Sequence, residues 1–253
     1  MGNRRAHRLR ALVRGAPATA PGVNAPVKVL IVTADDFGIS RGVNRGIVEA
    51  HREGILTSTS LMVGRPASVE AADVGRACPA LSIGLHLELD PAGAPDIRTQ
   101  LDRQLGRFTD LVGAPPTHLD SHHDVHRDPR VLPYVRAWAD RLGVLVRGSS
   151  PVRHLSKFYG QWGGETHLEQ ISVEGLLRLL DAELGPGVTE LTCHAGYLDE
   201  GLVSSYAVER EAEVRTLCDP RVRPALAARG IRLAGFRDLA ALVAASWVSE
   251  GAA

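Results

Sequence analysis

The chain has 253 residues, 44% apolar and 23% charged, and its 29 basic and 29 acidic side chains leave a formal net charge of +0. This length and composition suit one large α/β domain with a substantial core, and the charge balance argues against nucleic-acid binding through bulk positive charge. No apolar run approaches the roughly 20 residues that span a bilayer, which argues against a membrane partner. Cys78, Cys193 and Cys218 lie too far apart to mark a disulfide framework or a thiolate zinc site, so a cytoplasmic location is the default expectation.

Residues 1–27 are rich in Arg and contain no acid. Arg8, Arg10 and Arg14 interrupt the apolar core of about 7–15 residues that a signal peptide needs. The stretch reads as a flexible basic arm ahead of a single domain over residues 28–253. From Lys28 onward, strand and helix patterns alternate. "KVLIVTA" is almost wholly apolar, as in a parallel strand covered on both faces. "SRGVNRGIVEAHREG" follows as a helix with Ser40 as its N-cap and Gly54 as its stop.

"LTSTSLMVG" and "LSIGLHLEL" read as strands around the helix "PASVEAADVGRAC". The helix "DIRTQLDRQLGRFTDLVG" leads to the strand "PTHLD", and the helix "DPRVLPYVRAWADRLG" to the strand "VLVRGS". A Gly/His-rich loop precedes the helix "VEGLLRLLDAEL" and the strand "VTELTCHAGY". Two helices, "YAVEREAEVRTLC" and "DPRVRPALAARG", then lead to the strand "IRLAG" and a closing helix "FRDLAALVAASW". About seven strands in alternation with helices, without a Gly-rich phosphate loop, predict a single-domain (β/α)-barrel-like fold of parallel strands.

Asp, His and Arg residues recur at five of the strand ends. Asp35 and Asp36 close the first, His86 the third, and Asp120 with His122, His123 and His126 the fourth. Arg147 and His194 close two later ones. In a parallel barrel the C-terminal strand ends share one rim, where active sites form. Two imidazoles and a carboxylate facing one another would hold a divalent cation with room for water. That arrangement would also account for adjacent acids, one binding the metal and the other free to accept a proton from activated water.

"VTADDFGISRGVNRGIVEAHREGILTSTSLMVG" and "PTHLDSHHDVH" resemble the signatures of the YdjC/ChbG-like carbohydrate deacetylases. "IGLHLEL", "ELTCHAGY" and "YAVEREAEVRTLCDPRV" resemble the later blocks of that family in the same order, and the likeness covers about Val29 to Leu242. The resemblance implies metal-dependent removal of an acetyl group from an N-acetylated sugar. Carried over by position, it implies Asp36, His86 and His122 as ligands of one divalent metal, with zinc and magnesium both open. It implies Asp35 as general base and His194 as general acid or as donor to the tetrahedral intermediate. Arg147 is expected to bind substrate or to orient a ligand or carboxylate near the metal. A homodimer is expected on the same grounds.

The chain departs from the family pattern at Asp124, where His is usual, and at Ala195, where Pro is usual. The segment between "LELDPAG" and "PTHLD" is also short, which should reshape the substrate groove. A metal-dependent phosphoesterase and an inactive sugar- or metal-binding homologue are the alternative readings. Tyr159 and Trp162 stand in a Gly-rich loop where they either stack on a sugar or anchor the loop. His154 and His167 are expected to be solvated, and the pair Arg210 and Glu213 to buttress the rim.

Overall fold

The computed structural model describes residues 27–93, 96–148, 152–200, 202 and 204–239. The basic arm and most of the expected closing helix lie outside these residues. Strand β1 (Lys28–Phe37) is the centre of the molecule, and every one of its residues after Lys28 is buried. Leu30, Ile31 and Val32 have no exposed surface, as expected of a strand covered on both faces.

Around β1 the sheet runs β5 (Leu145–Val146), β4 (His118–Ser121), β3 (Ser82–Leu87), β2 (Ser58–Leu61), β1, β9 (Gly187–Cys193), β6 (Arg153–Leu155). All these neighbours pair in parallel, and β10 (Ile231–Leu233) adds to the first residues of β1. No pairing joins β5 to β6 among the described residues, so the barrel stays open there. The helices α1 (Arg41–Arg52), α2 (Ser68–Arg76), α3 (Ile97–Val112), α4 (Leu132–Leu142), α5 (Val173–Glu183), α6 (Val208–Leu217) and α7 (Val222–Ala228) complete the alternation. None among the described residues is long and apolar enough to cross a membrane.

The expected elements form close to their expected limits. The Ser40 hydroxyl accepts a hydrogen bond from the amide of Val43 at the start of α1. Val43, Ile47 and Ala50 bury the inner face of that helix. The loop expected after β5 holds β6 and a two-stranded hairpin, β7 (Gln161–Trp162) with β8 (Glu165–Thr166). All three cysteines are free.

Two local features aim the rim. Between Ala34 and Phe37 the pairing of β1 with β2 shifts register, a bulge with an extra residue on β1. Asp36 sits there at φ 68°, in the left-handed region. Consecutive strand residues normally face opposite sides; the bulge brings Asp35 and Asp36 onto one cavity. Gly42 and Gly46 let α1 approach the loop after β9. A Cβ on Gly42 would lie 2.2 Å from the carbonyl oxygen of Tyr197, and one on Gly46 2.6 Å from Cα of Gly196. That close packing seats the loop that carries His194.

Candidate functional site

A cavity of about 520 Å³ opens at the C-terminal strand ends, and Asp35, Asp36, His86, His122, Arg147 and His194 all line it. The sequence-predicted residues are thus brought together from five strands, as the rim argument requires.

Asp36, His86 and His122 converge on one point. Their candidate ligand atoms lie within 4.8 Å of one another. Asp36 Oδ1 is 3.6 Å from His86 Nε2 and 3.2 Å from His122 Nδ1. It is buried yet has no partner of hydrogen-bond geometry. Tetrahedral coordination with bonds near 2.0–2.1 Å spaces ligand atoms about 3.4 Å apart. The donor set therefore fits a divalent metal ion, and the orphaned oxygen is the atom such an ion would satisfy.

The shell around these three residues is charged and hydrogen-bonded. His86 Nδ1 is 2.8 Å from Asp120 Oδ1, so an Nδ1–H donates to that carboxylate and Nε2 faces the cluster, the usual support of a ligating imidazole. Burial opposes charging His86, but Asp120, Asp35 and Asp36 outweigh it and raise its pKa to about 9. This corner favours a cation. Burial likewise pushes the Asp36 carboxyl up, yet His122, His194, Arg210 and His86 hold it well below its ordinary value. Asp36 is therefore ionised.

Asp35 is gripped from the other side. Arg147 Nη1 and Nη2 donate to its two oxygens, each at 2.8 Å. The same guanidinium meets Asp120 Oδ2 at 2.6 Å and Glu190 Oε1 at 3.0 Å, and Arg147 is only 2% exposed. Its expected place was beside a substrate or a carboxylate, and the geometry gives the carboxylate. Two further clusters, Asp35–His86–Asp120 and His118–Asp120–Glu190, also have metal-like spacing. Arg147 already supplies a cation to both, which speaks for one metal rather than two.

His194 is half-buried, with Nδ1 unpartnered. Burial lowers its pKa against the pull of Asp36 and Asp35, so the imidazole is neutral. Its backbone amide donates to Glu213, which also accepts from the Tyr206 hydroxyl. Tyr159 stacks on Tyr206, with centroids 4.5 Å apart, and meets His194 in a T-shaped contact. It is 37% exposed in the cavity wall. Trp162 instead stacks on His167.

Several expectations change. His154 is half-buried and contacts Thr192 Oγ1 and Arg127 in the cavity wall. His167 is half-buried, stacked on Trp162 and 3.3 Å from Glu169. His126 is buried between Ser121 and the carbonyl of Arg147, and holds the turn rather than a ligand. His123 and Asp124 adopt successive left-handed conformations in the 3₁₀ segment His122–Arg127, and Asp124 pairs with Arg127 at the rim. Asp120, Glu190 and the contact of Arg210 with Asp36 drew no role from sequence. Their partners lie far away in the chain, and only the alternation of β9 hints that Glu190 points inward.

The sequence profile of a family described as "YdjC-like protein" matches residues 29–95 and 89–228. The chain belongs to this family. Its two matched parts overlap at residues 89–95, in the loop between β3 and α3. A protein of Serratia marcescens named chitooligosaccharide deacetylase is 35% identical over 84% of this chain and 99% of its own length. One of the same name from Enterobacter sp. (strain 638) is also 35% identical over the same shares. Among solved structures, a protein of Enterococcus faecalis V583, named for a proposed role in cellobiose-phosphate cleavage, is similar with a TM-score of 0.71. It shares 28% identity over 84% of this chain and 99% of its own. A family 4 acetyl xylan esterase of Clostridium thermocellum shares the fold at TM-score 0.53 and 14% identity, over 85% and 91% of the two chains.

Proposed function

We propose that this YdjC-like protein is a metal-dependent hydrolase that removes the acetyl group from an N-acetylated amino sugar, releasing acetate and a free amine. The observation that carries the reading is the unpartnered Asp36 oxygen between His86 and His122, directly beside an Asp35 clamped by arginine. The curated relatives named chitooligosaccharide deacetylase support the substrate class.

Asp36, His86 and His122 would hold the metal. Two imidazoles and one carboxylate suit zinc better than magnesium, which prefers an octahedron of oxygens. When bound, the cation supplies Lewis acidity, polarising the acetyl carbonyl and easing the deprotonation of water. Asp35 accepts the proton of the attacking water. Both its oxygens are fixed by Arg147, so it needs no reorganisation as the proton arrives. The proton it takes is then available to the leaving nitrogen. His194, neutral and facing the same cavity, donates an N–H toward the carbonyl oxygen as negative charge builds there. Tyr159 offers a flat, backed surface for the sugar ring.

The groove continues past His122 and His123 into a second hollow of about 310 Å³, lined also by Glu88, Leu89, Asp90 and Val125. It lies at the start of the segment expected to be short, and supports a substrate larger than a monosaccharide. Acetate release from mono- and oligomeric N-acetylglucosamine, with and without a chelator, tests the activity against phosphate release from a generic ester. Acetate release that stops with chelator and returns with a divalent metal is expected. Phosphate release without acetate would overturn the reading.

A further inference from the structure

Two adjacent carboxylates on one rim repel each other, and each is met by its own arginine. Arg147 grips Asp35; Arg210, from the first turn of α6, donates through Nη2 to Asp36 Oδ2 at 2.6 Å. Arg210 is 4% exposed. The rest of its guanidinium is fixed without help from Asp36. Nε donates to the carbonyl of Tyr206 at 3.1 Å and Nη1 to the carbonyl of His194 at 3.2 Å. The amide of Gly196 donates in turn to the carbonyl of Arg210. The donor that faces Asp36 is therefore preset, tied to the loop that carries His194.

A carboxylate can bind a metal through one oxygen or chelate it through both. Here the two oxygens have different surroundings. Oδ2 is taken by a charge-assisted bond, among the stronger hydrogen bonds of proteins. Oδ1 is left with the two imidazoles and no hydrogen-bond partner. Chelation would set a bound cation against the buried guanidinium for the same oxygen, weakening a charge-assisted bond. We infer that Arg210 is a positioning residue that restricts Asp36 to a single-oxygen ligand, and so keeps a coordination position open for water and substrate. It also shares the charge of Asp36, so that the carboxylate neutralises a bound cation less. This inference rests on the reading of Asp36, His86 and His122 as the metal ligands.

The test is cobalt(II) loading of the wild-type protein, Arg210→Met and Arg210→Lys, followed by visible absorption, metal-affinity titration and steady-state kinetics. Cobalt(II) with few ligands absorbs much more strongly than cobalt(II) with five or six. In Arg210→Met the freed Oδ2 should chelate. The band should weaken several-fold, affinity should hold or tighten, and kcat should fall by roughly 10–100-fold, the range for loss of an outer-shell partner, with KM little changed. Arg210→Lys, which keeps one charged donor, should recover most of the wild-type band. A merely structural role predicts the opposite sign for the metal: affinity weakens as the site loosens, and the band keeps its intensity per bound ion. That result overturns the inference. If Arg210→Met does not fold, X-ray absorption on the cobalt-loaded wild-type protein decides: one carboxylate oxygen in the ligand shell supports it, and two overturn it. If the wild-type protein binds no cobalt at this cluster, the ligand reading itself fails.

Discussion

Replacing Arg147 by Met separates two tasks that its sequence position leaves open. The guanidinium is buried among Asp35, Asp120 and Glu190. Removing it leaves three carboxylates beside two imidazoles, His86 and His118. Loss of one member of a buried ion pair costs about 3–5 kcal/mol, and at this site the protein can reduce that cost only by taking up a proton. Glu190 is the group that takes it. Burial already raises its pKa to about 7 in the presence of Arg147, and without that cation it rises further. A carboxyl group whose folded pKa is raised stabilises most below its unfolded pKa and loses that contribution as pH rises toward the folded value. Arg147→Met should therefore lose about 3–5 kcal/mol in urea unfolding near pH 8 and visibly less near pH 6. Adding Glu190→Gln should recover part of the loss near pH 8. Acetate release should fall through kcat, because Asp35 is no longer held. A substrate-binding role predicts instead a raised KM and unchanged stability. If Arg147→Met unfolds within about 1 kcal/mol of the wild-type protein and keeps its kcat, the clamp is not what orients Asp35.

His86→Ala and His122→Ala should each lose metal and activity together while keeping the fold, read by metal content and circular dichroism; either variant with full occupancy and turnover would remove that residue from the ligand set. Tyr159→Ala should raise KM by roughly two- to tenfold, the worth of one aromatic contact, with kcat nearly unchanged; no change in KM would exclude it as a sugar platform. Burial raises the Glu213 carboxyl from 4.5 to about 8, so the wild-type protein should lose stability as pH climbs through that window. Glu213→Gln should flatten that part of the curve in denaturant titrations, and an unaltered pH dependence would contradict a neutral Glu213.

The parts of this molecule that sequence discloses are those with a local cause. The apolar run of β1, the Ser40 cap and the helical spacing of Val43, Ile47 and Ala50 follow from neighbours in the chain. The recurrence of Asp, His and Arg at strand ends follows from the parallel topology. Strand β6 went unread because Arg153–Leu155 carries a single apolar residue and borrows its stability from β9. The separate fates of Asp35 and Asp36 were half legible. Their chemistry follows from side-chain type, but the bulge that brings them to one cavity depends on pairing with β2. The arginines that divide them come from positions 112 and 174 residues away. Such contacts leave no periodic trace, and a buried guanidinium looks like any other Arg in a helix or at a strand end.

The central claim is that the two adjacent acids do different work, and metal titration with acetate-release rates on Asp35→Asn and Asp36→Asn tests it most directly. Asp35→Asn should bind metal as the wild-type protein does yet lose about 10²–10⁴-fold in rate, the usual worth of a general base, with no recovery on adding metal. Asp36→Asn should lose metal affinity and regain part of its rate in excess metal. Equal metal affinity and near-wild-type rates in both variants would contradict the account.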